Sequence, residues 1–342
     1  MTKKIRFAVV GMGHIGKRHA EMIRRNPGAE LVAVADVRSA EECGLQEITE
    51  PFYRSVDELL ANEKNFDVLN ICTPNGLHAP IAVKALEDNR HVVIEKPMAL
   101  SKHDAEEIIH KSLEKEKHVF CVMQNRYSPP SVWLKSVIDQ KLLGDIYQVQ
   151  INCYWNRDAR YYTGKNWHGD SQLDGGTLFT QFSHFIDIMY WLFGDINTIS
   201  GRFNDFNHKN LTGFEDSGIV TFNFVKGGTG SLNYSTALFG ENLESSMIIV
   251  AEKGTVKVAG QYMNEVAYCN IANYTMPELE PGAPPNDYGA YKGSAQNHHF
   301  VIRNVVEKLN NHSSISTNAL EGMKVVDIIE RIYAERDRQW KK

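Results

Sequence analysis

The sequence predicts an α/β protein of two domains, a doubly wound parallel sheet followed by an α+β domain on a largely antiparallel open sheet. Three observations predict it. Over the first 125 residues, short apolar runs alternate with charged amphipathic stretches, the rhythm of strands joined by helical crossovers. The first run leads straight into a glycine-rich turn, Gly11-Met-Gly13-His-Ile-Gly16. Beyond residue 126, strand-like stretches follow one another across short turns, as antiparallel neighbours do.

In the first domain, residues 1–125, strands are expected at 5–10, 31–35, 68–72, 91–94 and 118–123, with crossover helices such as 16–25 and 81–88. In the second, residues 126–342, strands are expected at 217–224, 228–235, 245–251 and 254–258. Val225-Lys-Gly-Gly228 and Glu252-Lys-Gly254 supply the turn residues. Helices are expected at 131–143 and 177–193, stopped by Gly144 and Gly194. The proline-rich stretch 276–291 reads as a loop. Ser294 is placed to cap a helix beginning at Ala295, and a last helix over 318–335 is expected to pack back on the first domain.

Composition excludes several function classes. The chain has 342 residues, 42% of them hydrophobic, and a formal net charge of −5, so no basic excess is available to hold a nucleic-acid backbone. The apolar run 5–10 is too short for a signal-peptide core. The longest apolar stretch, 177–193, carries Gln181, His184 and Asp187 and reads as a buried helix, not a bilayer span. Five cysteines, widely spaced and without CxxC, fit reduced thiols in the cytoplasm; no metal-ligand set is apparent.

The glycine turn gains meaning from its context. A strand runs in, a helix runs out, and Asp36 ends the next strand twenty residues after Gly16, the arrangement of a Rossmann dinucleotide fingerprint. Gly11 makes the tight turn, Gly13 admits the pyrophosphate, and Gly16 packs the helix on the strand. His14 and Ile15 open the helix whose N-terminus receives the anion. An anionic Asp36 accepts from both adenosine-ribose hydroxyls and repels a 2′-phosphate, which favours NAD over NADP; Arg38 could stack on adenine or meet a phosphate.

Ligands of such sheets lie off the carboxyl ends of the strands, where two polar clusters stand, Thr73-Pro74-Asn75 and Glu95-Lys96-Pro97. A lysine ending an apolar strand is either a solvated surface charge or a cation held at the cofactor's reactive end. In the stretch 177–193, Thr180, Gln181 and His184 share one helical face. A histidine there is either a bonded core residue or a base suited to neutral pH.

The fingerprint with Asp36, Thr73-Pro74-Asn75 followed by His78, Glu95-Lys96-Pro97, Gln124-Asn-Arg126, and Asp174-Gly-Gly176 followed by His184-Phe-Ile-Asp187 together resemble the Gfo/Idh/MocA oxidoreductases over nearly the whole chain. The resemblance implies that Lys96 and His184 flank the reacting carbinol and that the Lys96–Pro97 bond is cis. It also implies cofactor contacts at His78, Glu95 and Gln124 beside the residues above, and assembly as a homodimer or homotetramer. A narrower resemblance rests on Tyr154-Trp-Asn-Arg157, Tyr161-Tyr162, Trp167 with Gly169, and Tyr291-Lys-Gly-Ser294 with Asn297-His298. This set is similar to family members that oxidise the 3-hydroxyl of UDP-N-acetylglucosaminuronate for surface polysaccharides. It implies substrate contacts from Arg126, Tyr154, Arg157, Trp167, Thr180, Gln181 and His184. Many members carry aspartate where this chain has Thr180. Two further readings are a same-fold dehydrogenase of inositol or a free sugar, and an NAD-binding sugar sensor without turnover.

Overall fold

The computed structural model describes residues 3–46, 48–163, 167–289 and 291–340. The chain forms two compact units, Met1–Met123 with His298–Val326, and Gln124–Asn297 with Asp327–Lys342.

In the first unit, β1 (Ile5–Val10), β2 (Ala29–Ala35), β3 (Phe52–Tyr53), β4 (Val68–Ile71), β5 (His91–Ile94) and β6 (Val119–Cys121) lie in the order β3-β2-β1-β4-β5-β6. Every pairing is parallel. The connection reverses direction between β1 and β4, so Val10 and Ile71 end at the crevice that this topology opens at its carboxyl edge. The crossovers are α1 (His14–Arg25), α2 (Val56–Asn62), α3 (His78–Glu87) and α4 (Lys102–Glu114). Helix α1 buries Gly16, His19, Ala20 and Ile23, one helical face, while Arg24 and Arg25 in its last turn complement the dipole. Ser55 and Ser101 cap α2 and α4 by accepting from the N–H groups of Glu58 and Asp104. Helix α1 begins two residues earlier than its expected start because Gly13, extended, takes the cap position. Strand β3 is too short for its alternation to be read from sequence.

The second unit contains α5 (Pro129–Asp139), α6 (Ala159–Tyr162), α7 (Ser183–Phe193) and a seven-stranded sheet. Its strands are β7 (Ile146–Tyr154), β8 (Ile196–Asn204), β9 (Ser217–Phe224), β10 (Thr229–Ser235), β11 (Glu244–Ala251), β12 (Gly254–Ala259) and β13 (Glu265–Ile271), in the order β13-β12-β11-β7-β10-β9-β8. All neighbours are antiparallel except β7 and β10, so the sheet is mixed but mostly antiparallel. Strand β9 shows why one face is covered: Val220, Phe222 and Phe224 are buried while Ile219, Thr221 and Asn223, which alternate with them, are exposed. The stretch 178–193 lies on the buried face, with Phe182 edge-on to Trp155 and Tyr234 and Phe193 against Phe224 at centroid distances of 5.4, 5.9 and 5.3 Å.

Three expectations are corrected here. The stretch 276–291 is not all loop, because β14 (Pro285–Asp287) pairs with β15 (Lys292–Ala295); proline is tolerated where it opens the strand. Ser294 caps no helix: it lies in β15, its hydroxyl accepts from Asn125 Nδ2 at 3.4 Å, and α8 (His298–Leu309) begins further on. The helix over 177–193 opens with a wide π turn at Leu178–Phe182 before α7, which shifts the phase of every residue ahead of Ser183. The last helix, α9 (Ala319–Trp340), outruns its expected end. No helix among the described residues is long and apolar enough to cross a membrane.

Candidate active site

Strands β1, β2, β4 and β5 run parallel, so the segments that leave them share one edge of the first sheet. At the end of β1, Gly11 has φ +89°, and a Cβ there would meet the Cys72 carbonyl oxygen at 2.5 Å; one on Gly16 would collide with the Gly11 carbonyl. A Cβ on Gly13 would meet nothing within 4 Å. The chain therefore needs the first and third glycines for its own packing, while the second leaves open space beside the start of α1. The N–H groups of that first turn, those of His14 and Ile15 among them, have no intrahelical acceptors and suit an anion.

Asp36, buried just past β2, accepts from Met12 N at 2.7 Å, from Arg38 N at 2.9 Å, and from Arg38 Nε and a terminal guanidinium nitrogen at 3.0 and 2.9 Å. Burial alone would raise its pKa, but these bonds from Arg38 and Met12 outweigh it and hold the carboxyl below its ordinary value. Arg38 thus lies along Asp36. Past β4, the buried Thr73 hydroxyl has no hydrogen-bond partner among the described residues, and the buried Asn75 begins a turn of 3₁₀ helix. An open cradle, an anion at the second strand end and an orphaned hydroxyl fit a dinucleotide.

His78, expected to touch the cofactor, is fully buried, with Nδ1 2.7 Å from the Pro97 carbonyl and Nε2 2.9 Å from the Thr73 carbonyl. It fastens the two strand-end turns to each other. Lys96 is half-buried directly after β5, and its bond to Pro97 is cis.

In the second unit, His184 lies buried in the first turn of α7. Thr180 and Gln181 precede it in the π turn and are engaged within the chain. The Thr180 hydroxyl donates to the Asp174 carboxylate, Gln181 Oε1 accepts from Arg157 Nε at 2.7 Å, and Gln181 Nε2 donates to the Tyr161 hydroxyl at 2.8 Å. Arg157 is 2% exposed. Its other acceptors are the Asn156 and Lys292 carbonyls at 2.6 and 3.0 Å and Asn242 Oδ1 at 3.3 Å, all neutral. The rings of Trp155, Tyr161 and Tyr291 surround the guanidinium at 4.9, 5.3 and 4.9 Å. Arg126 differs, because its guanidinium grips Asp187 through two bonds of 2.8 and 2.5 Å. Tyr154 ends β7, half-buried; Trp167 packs on His168 at 4.1 Å; Gln124 is buried and its carbonyl accepts from Asn297 Nδ2 at 3.3 Å.

Sequence reading passed over His19 and Asn70, and gave no role to Asp174 and His298 although both stand in motifs it singled out; all four organise these sites. His19, Asn70 and His298 gather around Glu95, and Asp174 holds Thr180 and the Gly169 N–H, the latter at 2.9 Å. The signal existed: His19 stands in the apolar face of α1, and Asn70 interrupts the buried run of β4.

Comparison with known proteins agrees over both units. A model described as "Oxidoreductase family, NAD-binding Rossmann fold" matches residues 5–124, and a "GFO/IDH/MocA C-terminal domain" matches residues 132–257. The fold superposes with TM-score 0.87 on the WlbA dehydrogenase from Chromobacterium violaceum, in complex with NADH and UDP-GlcNAcA, at 28% identity over 98% of this chain and 95% of that one. The Bordetella pertussis WlbA dehydrogenase, in complex with the same two ligands, gives 0.85 at 29% identity over 97% and 96%. Inositol 2-dehydrogenase from Rubrobacter xylanophilus is 26% identical over 75% of this chain and 72% of its own length. The chain spans 55% of the length of another curated relative, an uncharacterized oxidoreductase from Synechocystis.

Proposed function

Because this chain belongs to the Gfo/Idh/MocA oxidoreductase family, we propose that it oxidises a ring secondary alcohol of a sugar, the 3-hydroxyl of UDP-N-acetylglucosaminuronate, in a route to surface polysaccharide. The observation that carries the reading is Lys96 at the end of β5, on the sheet edge that also bears the glycine cradle and Asp36. When bound, a nicotinamide dinucleotide supplies the hydride acceptor. Gly13 leaves room for its pyrophosphate, the first turn of α1 donates to it, and Asp36 takes its ribose hydroxyls, which favours NAD over NADP. The imidazole of His184 takes the hydroxyl proton, and the Lys96 ammonium stabilises the negative charge that develops on that oxygen.

Arg157 supports the choice of a uronate. A buried guanidinium bonded to neutral acceptors alone among the described residues is suited to a nearby carboxylate, which completes the charge balance. Two similar structures carry UDP-GlcNAcA with NADH. The match to inositol 2-dehydrogenase favours a second reading, a dehydrogenase of inositol or a free sugar, for which Arg157 would have no anion to meet. Five free cysteines suit a reducing compartment. The uncovered face of the second sheet, with Ile219, Val250 and Tyr268 exposed, suits a homo-oligomer.

The test is NADH absorbance on mixing protein, NAD and a panel of UDP-sugars, inositols and hexoses. Turnover of UDP-N-acetylglucosaminuronate alone supports the reading, turnover of inositol supports the second, and silence across the panel favours a sensor. Lys96→Met is expected to abolish turnover and leave NAD affinity within about 3-fold; loss of both together removes Lys96 from the chemistry.

A further inference from the structure

Behind Lys96 lies a buried carboxylate with a bonding shell of its own. Glu95 Oε1 accepts from His19 Nε2 at 2.9 Å, and His298 Nε2 lies 3.4 Å from the same oxygen. Glu95 Oε2 accepts from the backbone N–H of Lys96 at 3.1 Å. Asn70 Nδ2 stands 2.8 Å from His19 Nδ1. An amide nitrogen only donates, so Nδ1 is the acceptor and the imidazole proton sits on Nε2, aimed at the carboxylate. Burial would push the Glu95 carboxyl up, yet His19 and His298 more than reverse this and hold it well below its ordinary value.

A buried anion is costly, and this one draws on a strand asparagine and histidines from two helices. What it meets in return is the peptide of the neighbouring lysine. On the far side of that step, His78 holds the Pro97 carbonyl, so the segment is bonded before and after the lysine side chain. With Oε1 bonded to His19 and Oε2 to Lys96, the group forms a closed hydrogen-bond chain: Asn70 to His19, His19 to Glu95, and Lys96 N–H to Glu95.

We propose that Glu95, oriented by His19, is a positioning residue that fixes the peptide from which Lys96 projects. The inference rests on the reading of Lys96 as the ammonium at the reacting oxygen. It adds that the precision of this ammonium is set by the buried bonds behind it, those of Glu95 to His19 and to the Lys96 peptide.

Two measurements test it on the full chain loaded with NAD. With UDP-N-acetylglucosaminuronate, His19→Leu is expected to lower kcat about 30-fold while sugar KM and NAD affinity stay within about 3-fold. His19→Gln, which keeps a donor near the Nε2 position, is expected to restore most of kcat. General damage to the fold would instead weaken NAD binding in both variants, and that result overturns the proposal. The second measurement needs no turnover: lysines are reductively methylated with ¹³C, and the Lys96 resonance is assigned by its loss in Lys96→Met. It is expected apart from the exposed lysines in wild type and His19→Gln, and among them in His19→Leu. Should His19→Leu fail to fold, Asn70→Ala is expected to give the same displacement in smaller size. An unmoved resonance overturns the proposal. If wild type leaves the UDP-sugar untouched, the function reading falls and the resonance alone decides this one. If Lys96→Met retains turnover, both fall.

Discussion

Arg126 and Arg157 belong to one structural unit, are both nearly fully buried, and both stand in sequence where a substrate anion would be met, yet their surroundings are opposite. Arg126 closes a two-pronged pair with Asp187 and lies 5.2 Å over the Trp191 ring. Arg157 is held by an amide oxygen, backbone carbonyls and three aromatic faces. Burial lowers its pKa from the ordinary value, against a counter-pull from Tyr161, Tyr162 and Tyr291. The difference separates a charge balanced by a carboxylate of the chain from one met, among the described residues, by neutral acceptors and aromatic rings. Type and burial do not distinguish the two; the identity of the acceptor does.

Breaking the balanced pair gives the largest expected effect. Asp187→Ala leaves a buried guanidinium without its carboxylate and should cost about 3–5 kcal/mol of unfolding free energy in urea, whereas replacing both partners by leucine should recover most of it. If Arg126→Leu instead raises sugar KM and leaves stability intact, Arg126 is a ligand residue and the comparison fails.

Opening the other site should move binding more than folding. Arg157→Met is expected to raise KM for UDP-N-acetylglucosaminuronate about 30-fold, the loss of one charge-assisted contact near 2 kcal/mol, with stability changed by about 1 kcal/mol or less. The uronate should raise the melting temperature of wild type more than that of the variant, and UDP-N-acetylglucosamine, which lacks the carboxylate, should raise both by a smaller, equal amount. A stability loss as large as that of Asp187→Ala would show that Arg157, too, serves the fold.

Glu95 extends the comparison to the first unit as a balanced anion. Its folded pKa lies well below the ordinary 4.5, so the stability it confers is fully present above that value and is lost as the pH falls through it toward the folded one. Unfolding free energy should therefore fall as the pH drops below the ordinary carboxylate range, and Glu95→Gln should flatten that slope while lowering stability near neutrality. An unchanged acid slope in the variant would mean that other carboxylates carry it.

How much of this could be read in the sequence follows the range of the interactions. The first sheet, β3 apart, was legible because its strands are short, mostly apolar runs and the glycine turn sits between a strand and a helix, all local patterns. In the second unit β7 and β10 pair in parallel although some 75 residues separate them, and no local pattern announces that partner. Among candidate site residues, Lys96 and Asp36 announce themselves by standing at strand ends. The fates of Arg126 and Arg157 do not, since each was decided by a residue distant in sequence: Asp187 for the first, and Gln181 with the Lys292 carbonyl for the second. The surroundings of His78 were hidden for the same reason, its two ring nitrogens lying against carbonyls that only the folded turns bring together.

Arg38 offers the smallest effect and the sharpest limit on the comparison. It is an arginine balanced by a carboxylate, as Arg126 is, but its side chain is 49% exposed while that of Asp36 is 6% exposed. Water screens a pair of this kind, so Arg38→Ala should change stability by less than about 1 kcal/mol, in contrast to the buried pair. Its consequence belongs to cofactor choice. Arg38 covers Asp36 with a positive charge, and if Asp36 takes the adenosine ribose as proposed above, removing the arginine bares the carboxylate to a 2′-phosphate. NAD affinity is expected to stay within about 3-fold, and NADP affinity to fall by about 10-fold, both read by fluorescence titration. Tighter NADP binding in Arg38→Ala would mean that the arginine had been blocking the phosphate, and that charge balance at an exposed position says nothing about which ligand the position serves.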